Sequence, residues 1–144
     1  MAQRLASKTR IYLDSKRMLG VMVDVVKSFP KSQRYIVGDK LENLLIENLH
    51  LIARAYMMKN LVERINHLSR LQSNLEVIDT LVELAGQKRW IQGEGQLASI
   101  LHLKDNIGRQ ATAWKGSLVD AYQKAHPTAP TMGVDNNRNK KVLK

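Results

Sequence analysis

The sequence predicts an all-α protein, an antiparallel up-down-up-down four-helix bundle with a disordered basic C-terminal tail. Apolar residues recur at spacings of three and four along four separate segments, as on one face of an α-helix. Eight Gly and three Pro are too few for a fold rich in strands and turns. Alternating strand-like and helix-like segments, which would indicate an α/β fold, do not occur.

The length of 144 residues corresponds to a single domain. We expect the bundle to occupy residues 1–126, with helices at about 8–28, 32–59, 61–91 and 94–125. Residues 127–144 contain two of the three Pro residues, few apolar side chains and a basic end, which predicts a flexible tail.

The first helix carries one apolar stripe, formed by Ile11, Met18, Met22, Val25 and Phe29. The helix should stop before Pro30, because the residue preceding a proline is disfavoured in the helical conformation. Gly20 lies inside the helix and could allow a close contact with another helix.

The second helix should begin with Ser32 as a candidate cap. Its stripe is formed by Leu41, Leu45, Leu49, Ile52 and Tyr56. Four flanking apolar residues widen this face to roughly 160°, so the helix needs neighbours on more than one side; they are Val37, Leu44, Leu51 and Ala55. Asn60 with Glu63 three residues later indicates a cap and a new helix, and one continuous helix over 32–85 is the alternative.

The third helix has a stripe with alternating spacings of three and four, typical of a left-handed bundle: Leu61, Ile65, Leu68, Leu71, Leu75, Ile78, Val82 and Ala85. A second apolar group, Val77, Leu81 and Leu84, lies on another face. We expect this group to form an oligomer interface together with Leu44 and Leu51 of the second helix. The helix could end at Gly86 or continue through Ile91.

The fourth helix should follow a turn at residues 92–95 and end at His126-Pro127. Its predicted stripe consists of Leu97, Ile100, Ile107, Ala111, Trp114, Leu118 and Ala121. Trp90 and Trp114 are interpreted as packing anchors rather than as platforms for nucleic-acid bases.

The net charge of +10 is spread unevenly along the chain. Residues 1–40 hold nine basic and three acidic residues, whereas residues 41–92 hold equal numbers of each. Such an excess indicates an anionic partner such as nucleic acid, although it could serve solubility alone. The candidate binding residues are Lys8, Arg10, Lys16, Arg17, Lys27, Lys31, Arg34, Lys40, Arg109, Arg138, Lys140 and Lys141. No module that reads base sequence is visible, so the pattern does not distinguish DNA from RNA.

Few features of the sequence indicate a catalytic or metal-binding site. Glu47-x-x-His50 resembles half of a di-iron motif, but it occurs once and points largely away from the predicted core. The chain has no Cys, which excludes disulfides and thiolate metal sites. We therefore predict no catalytic residue, metal or cofactor. No signal-like or membrane-length apolar segment occurs, and we expect a cytoplasmic protein without a membrane partner.

Two motifs carry a family resemblance. Phe29-Pro30-Lys31-Ser32, followed by Arg34-Tyr35 and Gly38, resembles the start of the second helix in one family, and Ile107-Gly108-Arg109-Gln110 with Trp114 gives a second match. The family contains four-helix-bundle proteins from intervening sequences of ribosomal RNA genes and the accessory variability determinant (Avd) of diversity-generating retroelements. The family usually has a Gly pair before the Trp, where this chain has Thr112 and Ala113.

The resemblance to Avd implies a non-enzymatic protein that forms a homopentamer. It further implies binding to a reverse transcriptase and to template RNA, and possibly cDNA, in support of cDNA synthesis during mutagenic retrohoming. Alternatives are a protein of the ribosomal intervening-sequence type or a general RNA chaperone, with a metal-dependent bundle enzyme as the distant one. A reverse transcriptase gene and a template/variable repeat pair nearby would distinguish these.

Overall fold

The computed structural model describes residues 5–127, and the expected tail from residue 128 onward lies outside this range. A short 3-10 turn, Ala6–Lys8, precedes α1 (Arg10–Val26). α2 is continuous but has three parts, Lys31–Gln33, the π-helical turn Arg34–Gly38 and Asp39–Met57. α3 spans Leu61–Gln87 and α4 spans Glu94–Ala125. No strand occurs within residues 5–127, so the all-α prediction is confirmed.

The helices pack in a closed ring, in which α1 contacts α2 and α4, and α3 contacts the same two helices. Side-chain bonds join Glu47 to Asn74 and Gln72 to Thr112. Farther along the same pairs of helices, Arg64 bonds the carbonyl of Ala55 and Lys104 pairs with Asp79. Residue numbers thus rise on one helix as they fall on its neighbour. This is the antiparallel arrangement of a four-helix bundle.

The predicted stripes form the core of the bundle. All five stripe residues of α1 are buried, as are the α3 residues from Ile65 to Ala85 that were assigned to its stripe. The broad apolar face of α2 is covered on one side by α1 and on the other by α3. Ala121 of α4 is exposed, whereas Leu103 and Val119, which the predicted stripe omitted, are buried.

The helix ends agree with the sequence at one junction and differ at two others. The Asn60 side chain accepts a hydrogen bond from the Glu63 N–H at 3.0 Å, and the extended Met58 separates α2 from α3, so no continuous helix runs over 32–85. α2 begins at Lys31 after Pro30, without a side-chain cap, so the Ser32 assignment was wrong. α3 ends at Gln87 rather than Ile91, because Arg89 adopts a positive φ of 62°.

Two turns meet at one end of the bundle. The Ser28 hydroxyl donates a hydrogen bond to the Trp90 carbonyl at 2.7 Å, and the rings of Phe29 and Trp90 lie 5.5 Å apart between centroids. Trp90 therefore acts as a packing anchor that joins the α1–α2 turn to the α3–α4 turn.

Gly38 allows the π-helical turn of α2 to approach α1 closely. A Cβ atom at this position would lie 2.5 Å from Cγ1 of Val26, well inside van der Waals contact. Gly20, in contrast, is surrounded by open space, since a Cβ atom there would have no neighbour within 4 Å, and it does not provide the close helix contact expected from the sequence. The close approach of α1 and α2 therefore requires the small residue of α2, Gly38, and not Gly20 of α1.

Buried polar residues form a layer across the middle of the bundle, here called the polar layer. It consists of Asp14, Ser15, Asn48, Asn74 and Lys115, together with Gln110 and Gln72, the partners of Asp14 and Lys115. The buried Ser15 hydroxyl has no hydrogen-bond partner within residues 5–127. Asn74 donates a hydrogen bond to Asn48 at 3.0 Å, and Gln110 donates one to Asp14 at 2.7 Å. Lys115 is 8% exposed and donates to the neutral Gln72 side chain at 3.1 Å. Burial lowers the pKa of Lys115 because it disfavours the charged amine.

We expect Gly38→Ala to destabilise the bundle by about 1–3 kcal/mol, because the added methyl group overpacks the contact with Val26. Gly20→Ala is the matched control, and it should stabilise the protein by up to about 1 kcal/mol, since helical Gly is less favourable than Ala. Chemical denaturation measures both. Val26→Ala should partly restore the stability of the Gly38→Ala variant. Equal effects of the two glycine substitutions would contradict the conclusion that Gly38, and not Gly20, makes the close helix contact.

We expect Lys115→Met to stabilise the protein by about 1 kcal/mol at pH 7, since it removes a buried charge that has no carboxylate partner among residues 5–127. The lowered pKa means that the protonated amine opposes folding most strongly below its folded-state pKa. The advantage of the variant should therefore shrink as the pH rises toward the unfolded-state pKa. Thermal melts across this range test the expectation, and the exposed Lys124→Met serves as the control.

Candidate nucleic-acid interface

Two lysines lie on the outward ridge of α1, opposite its buried stripe. Lys16 and Lys27 are both exposed and are eleven residues apart in the sequence, which corresponds to about 16 Å along the helix. Lys27 pairs with Asp24 at 3.7 Å, but both side chains are more than 70% exposed, so solvent screens the pair. Lys16 forms no ion pair within residues 5–127. Both amines are open to an anionic ligand.

The two arginines of α1 occupy a different position, on the side that faces α4. Arg10 and Arg17 each lie 3.8 Å from a carboxylate oxygen of Asp14, which also accepts the hydrogen bond from Gln110. The carboxylate partly neutralises both guanidinium groups. Arg10 and Arg17 therefore support the α1 side of the polar layer and offer less free positive charge than the lysine ridge does.

The α1–α2 turn supplies a second basic group. Lys31 and Lys40 are exposed on α2, and Arg34 is exposed while its Nε donates a hydrogen bond to the Phe29 carbonyl at 3.1 Å. Tyr35 and Ile36 stand beside Arg34 on the π-helical turn and are 68% and 65% exposed. In the sequence Tyr35 stood out only as part of the family motif, and Ile36 did not stand out, because neither falls on the apolar stripe of the second helix.

The same end of the bundle holds two basic residues that the sequence analysis missed. Lys88 and Arg89 are exposed and directly precede Trp90, which contacts Ser28 and Phe29 of the α1–α2 turn. The adjacent pair of basic residues was visible in the sequence. Its position beside the other turn depends on the helix register, which sequence periodicity does not specify.

The remaining candidates do not join this end. Lys8 lies before α1, at the opposite end from Lys27. Arg109 lies on α4, where its Nη2 donates to Oδ1 of Asn106 at 2.6 Å, and it lines an open groove between α3 and α4 with a volume of ≈ 800 Å³. Three further candidates lie outside the described residues; they are Arg138, Lys140 and Lys141. The structure thus separates the basic residues into several patches.

The groove beside Arg109 also contains balanced charge. Lys104 lies 3.0 Å from Asp105 and 3.5 Å from Asp79. The hydrogen bond with Asp105, against the opposing effect of burial, raises the pKa of Lys104. Because its amine is already paired with carboxylates, this groove attracts an anion less strongly than the lysine ridge.

The apolar residues predicted at an oligomer interface divide into two sets. Leu44 and Leu51 are 8% and 5% exposed and belong to the core of a single chain, so they are not available to a second copy. The broad apolar face of α2 is covered by α1 and α3 of the same chain. Val77 is 41% exposed, and Leu81 and Leu84 are half-buried, so this group remains accessible.

The Glu47-x-x-His50 motif has a structural partner on α3. Glu47 accepts hydrogen bonds from Arg70 at 2.7 Å and from Asn74 at 2.9 Å, while His50 is exposed. Burial works to raise the pKa of Glu47, but the bonds from Asn74 and Arg70 outweigh it and hold that pKa below its usual value. No group of three or more potential metal ligands occurs within residues 5–127.

We expect Glu47→Gln to destabilise the protein by about 0.5 kcal/mol at neutral pH, because it weakens the bond with Arg70. A lowered carboxylate pKa contributes stability above the unfolded-state value, and this contribution is lost as the pH falls through the folded-state value. Wild type and variant should therefore converge as the pH falls through the folded-state pKa of Glu47, which lies below its unfolded-state value. Denaturation at several pH values measures this, with the exposed Glu83→Gln as the control. A pH-independent difference would contradict it.

None of the helices within residues 5–127 combines the length and hydropathy needed to span a bilayer.

Comparison with known protein families identifies the family of this chain, which the geometry of the bundle alone does not. The sequence model of the bAvd-like family matches residues 5–118, which covers most of the bundle. No curated protein matches the chain. The first three helices, most of α4 and both motifs of the sequence fall within the matched range. The chain therefore belongs to the bAvd-like family, named after the accessory variability determinant.

Proposed function

We propose that this protein is a non-enzymatic accessory protein that binds template RNA and associates with a reverse transcriptase during the cDNA synthesis of mutagenic retrohoming. Membership of the bAvd-like family, a family of accessory proteins, supports this role. The observation that carries the nucleic-acid part is the outward lysine ridge of α1, where Lys16 and Lys27 face solvent.

The electrostatics favour nucleic acid as the ligand of this ridge. The backbone of nucleic acid is a regular array of negative charge, and lysines spaced along a helix can contact successive phosphates without reading bases. The two exposed lysines of α1, with Lys31 in the next helix, form such a series. The arginines around Asp14, whose two charges are partly offset by one carboxylate, and the balanced groove beside Arg109 match it less well.

The proposed assembly is a homopentamer that uses the Val77, Leu81 and Leu84 group of α3. These side chains are the part of the predicted interface that remains accessible on a single chain. In a ring, every basic ridge would be repeated around the axis. Weak phosphate contacts on several subunits would then add through high effective concentration.

A titration of template-like RNA at several salt concentrations tests the nucleic-acid role. Wild type should lose affinity steeply as salt rises, because binding releases counterions. Lys16→Gln/Lys27→Gln should bind more weakly and reduce the salt slope by roughly one to two, since each lost phosphate contact lowers it by about one.

The matched control is Lys59→Gln/Lys124→Gln, which removes the same charge from exposed positions at the other end of the bundle. Near-wild-type binding by this control supports a localised surface. Equal weakening of both variants would show that net charge alone governs binding. Absence of RNA and DNA binding by wild type at low salt would disprove the nucleic-acid role, and co-purification with the reverse transcriptase tests the polymerase association separately.

A further inference from the structure

Tyr35 and Ile36 form an exposed apolar pair in a bundle whose other stripe residues are largely covered. Their exposed fractions of 68% and 65% are among the largest of any apolar side chain within residues 5–127. The aromatic pairs found in that range are Phe29–Trp90 and Tyr122–His126, so Tyr35 has no ring stacked on it there. One large aromatic face is thus presented to solvent.

Both residues lie on the π-helical turn of α2. The Asp39 N–H bonds the Arg34 carbonyl five residues earlier, one residue more than in an α-helix. Within this turn Val37 and Gly38 lie against the core, whereas Tyr35 and Ile36 face outward. π-turns are rare, and they occur frequently at functional sites.

The charges around Tyr35 are mostly positive. Lys31 and Arg34 precede it within one helical turn, and neither forms an ion pair within residues 5–127. The bond from Arg34 Nε to the Phe29 carbonyl uses one of its five donors and holds the guanidinium beside the turn. An exposed aromatic face therefore stands next to two cations that have no carboxylate partner in the described chain.

We propose that Tyr35 is a stacking platform for an unpaired base of single-stranded nucleic acid, and that Lys31 and Arg34 hold the adjacent phosphates. This inference rests on the proposed nucleic-acid function and adds a preference for single strands. Proteins that bind single strands without sequence preference combine a basic surface with aromatic side chains on which bases stack. In a duplex the base faces are covered by their neighbours, so Tyr35 would have no face to contact.

The observations favour nucleic acid over an acidic protein segment as the ligand here. A protein partner would be expected to use a continuous apolar surface with pockets for its anchoring side chains. Tyr35 and Ile36 line neither the groove between α3 and α4 nor the smaller cavity beside Arg10 and Trp114. A flat ring between cations instead matches the planar base and its flanking phosphates.

Tyr35→Ala, Tyr35→Leu and Tyr35→Phe test the proposal. The probes are an RNA of about 12 nucleotides containing 2-aminopurine and the duplex of the same sequence. We expect Tyr35→Ala and Tyr35→Leu to weaken single-strand binding about tenfold, with the Phe variant close to wild type. Binding to the duplex should change less than about twofold. The change in 2-aminopurine fluorescence on binding should depend on the aromatic ring at position 35.

Met57→Ala is the matched control, because Met57 is 73% exposed and lies at the other end of α2. Unchanged single-strand binding by both Tyr35→Ala and Tyr35→Leu overturns the platform but leaves the proposed function intact. Two other results also overturn the platform. One is an equal loss of affinity for the single strand and the duplex in the Tyr35 variants. The other is a loss of reverse-transcriptase association while RNA binding is retained. If wild type binds neither probe, the proposed function fails with it. Thermal melts check that each variant is folded.

Discussion

The polar layer inside the bundle sets the register of the four helices. Asn48 and Asn74 are both buried and hydrogen-bond to each other, and a buried amide without a partner costs more free energy than the bond itself contributes. Sliding α3 along α2 would leave both amides unpaired. Apolar contacts alone discriminate weakly between such positions, because Leu and Ile side chains are similar at successive turns.

The register determines what the ends of the bundle contain. With the helices aligned at the polar layer, the α1–α2 turn meets the α3–α4 turn, where Ser28 and Phe29 contact Trp90. Lys88 and Arg89 are thereby placed beside the turn that carries Lys31 and Arg34. Basic residues that are far apart in the sequence thus share one end, whereas Lys8 and Lys27, both near α1, lie at opposite ends.

The accessible apolar surface follows from how the helices cover one another. The face of α2 is wide enough to need two neighbours, and α1 and α3 provide both, so Leu44 and Leu51 are core residues. The Val77 group lies on the outer side of α3 and remains accessible. Tyr35 and Ile36 are exposed as well, and they lie on the π-helical turn of α2, away from its buried face.

The number of helices, their buried stripes and the Asn60 cap could be predicted from the amino-acid sequence, because they depend on local spacing and local hydrogen bonds. Lys16, Arg17 and Lys27 are absent from the predicted α1 stripe, and all three are exposed. Three features could be recognised only in the folded chain. They are the helices that cover the wide face of α2, the close contact with α1 that Gly38 rather than Gly20 makes, and the basic residues that lie at the same end of the bundle. These features depend on helix register and packing, which arise from contacts between residues distant in the sequence.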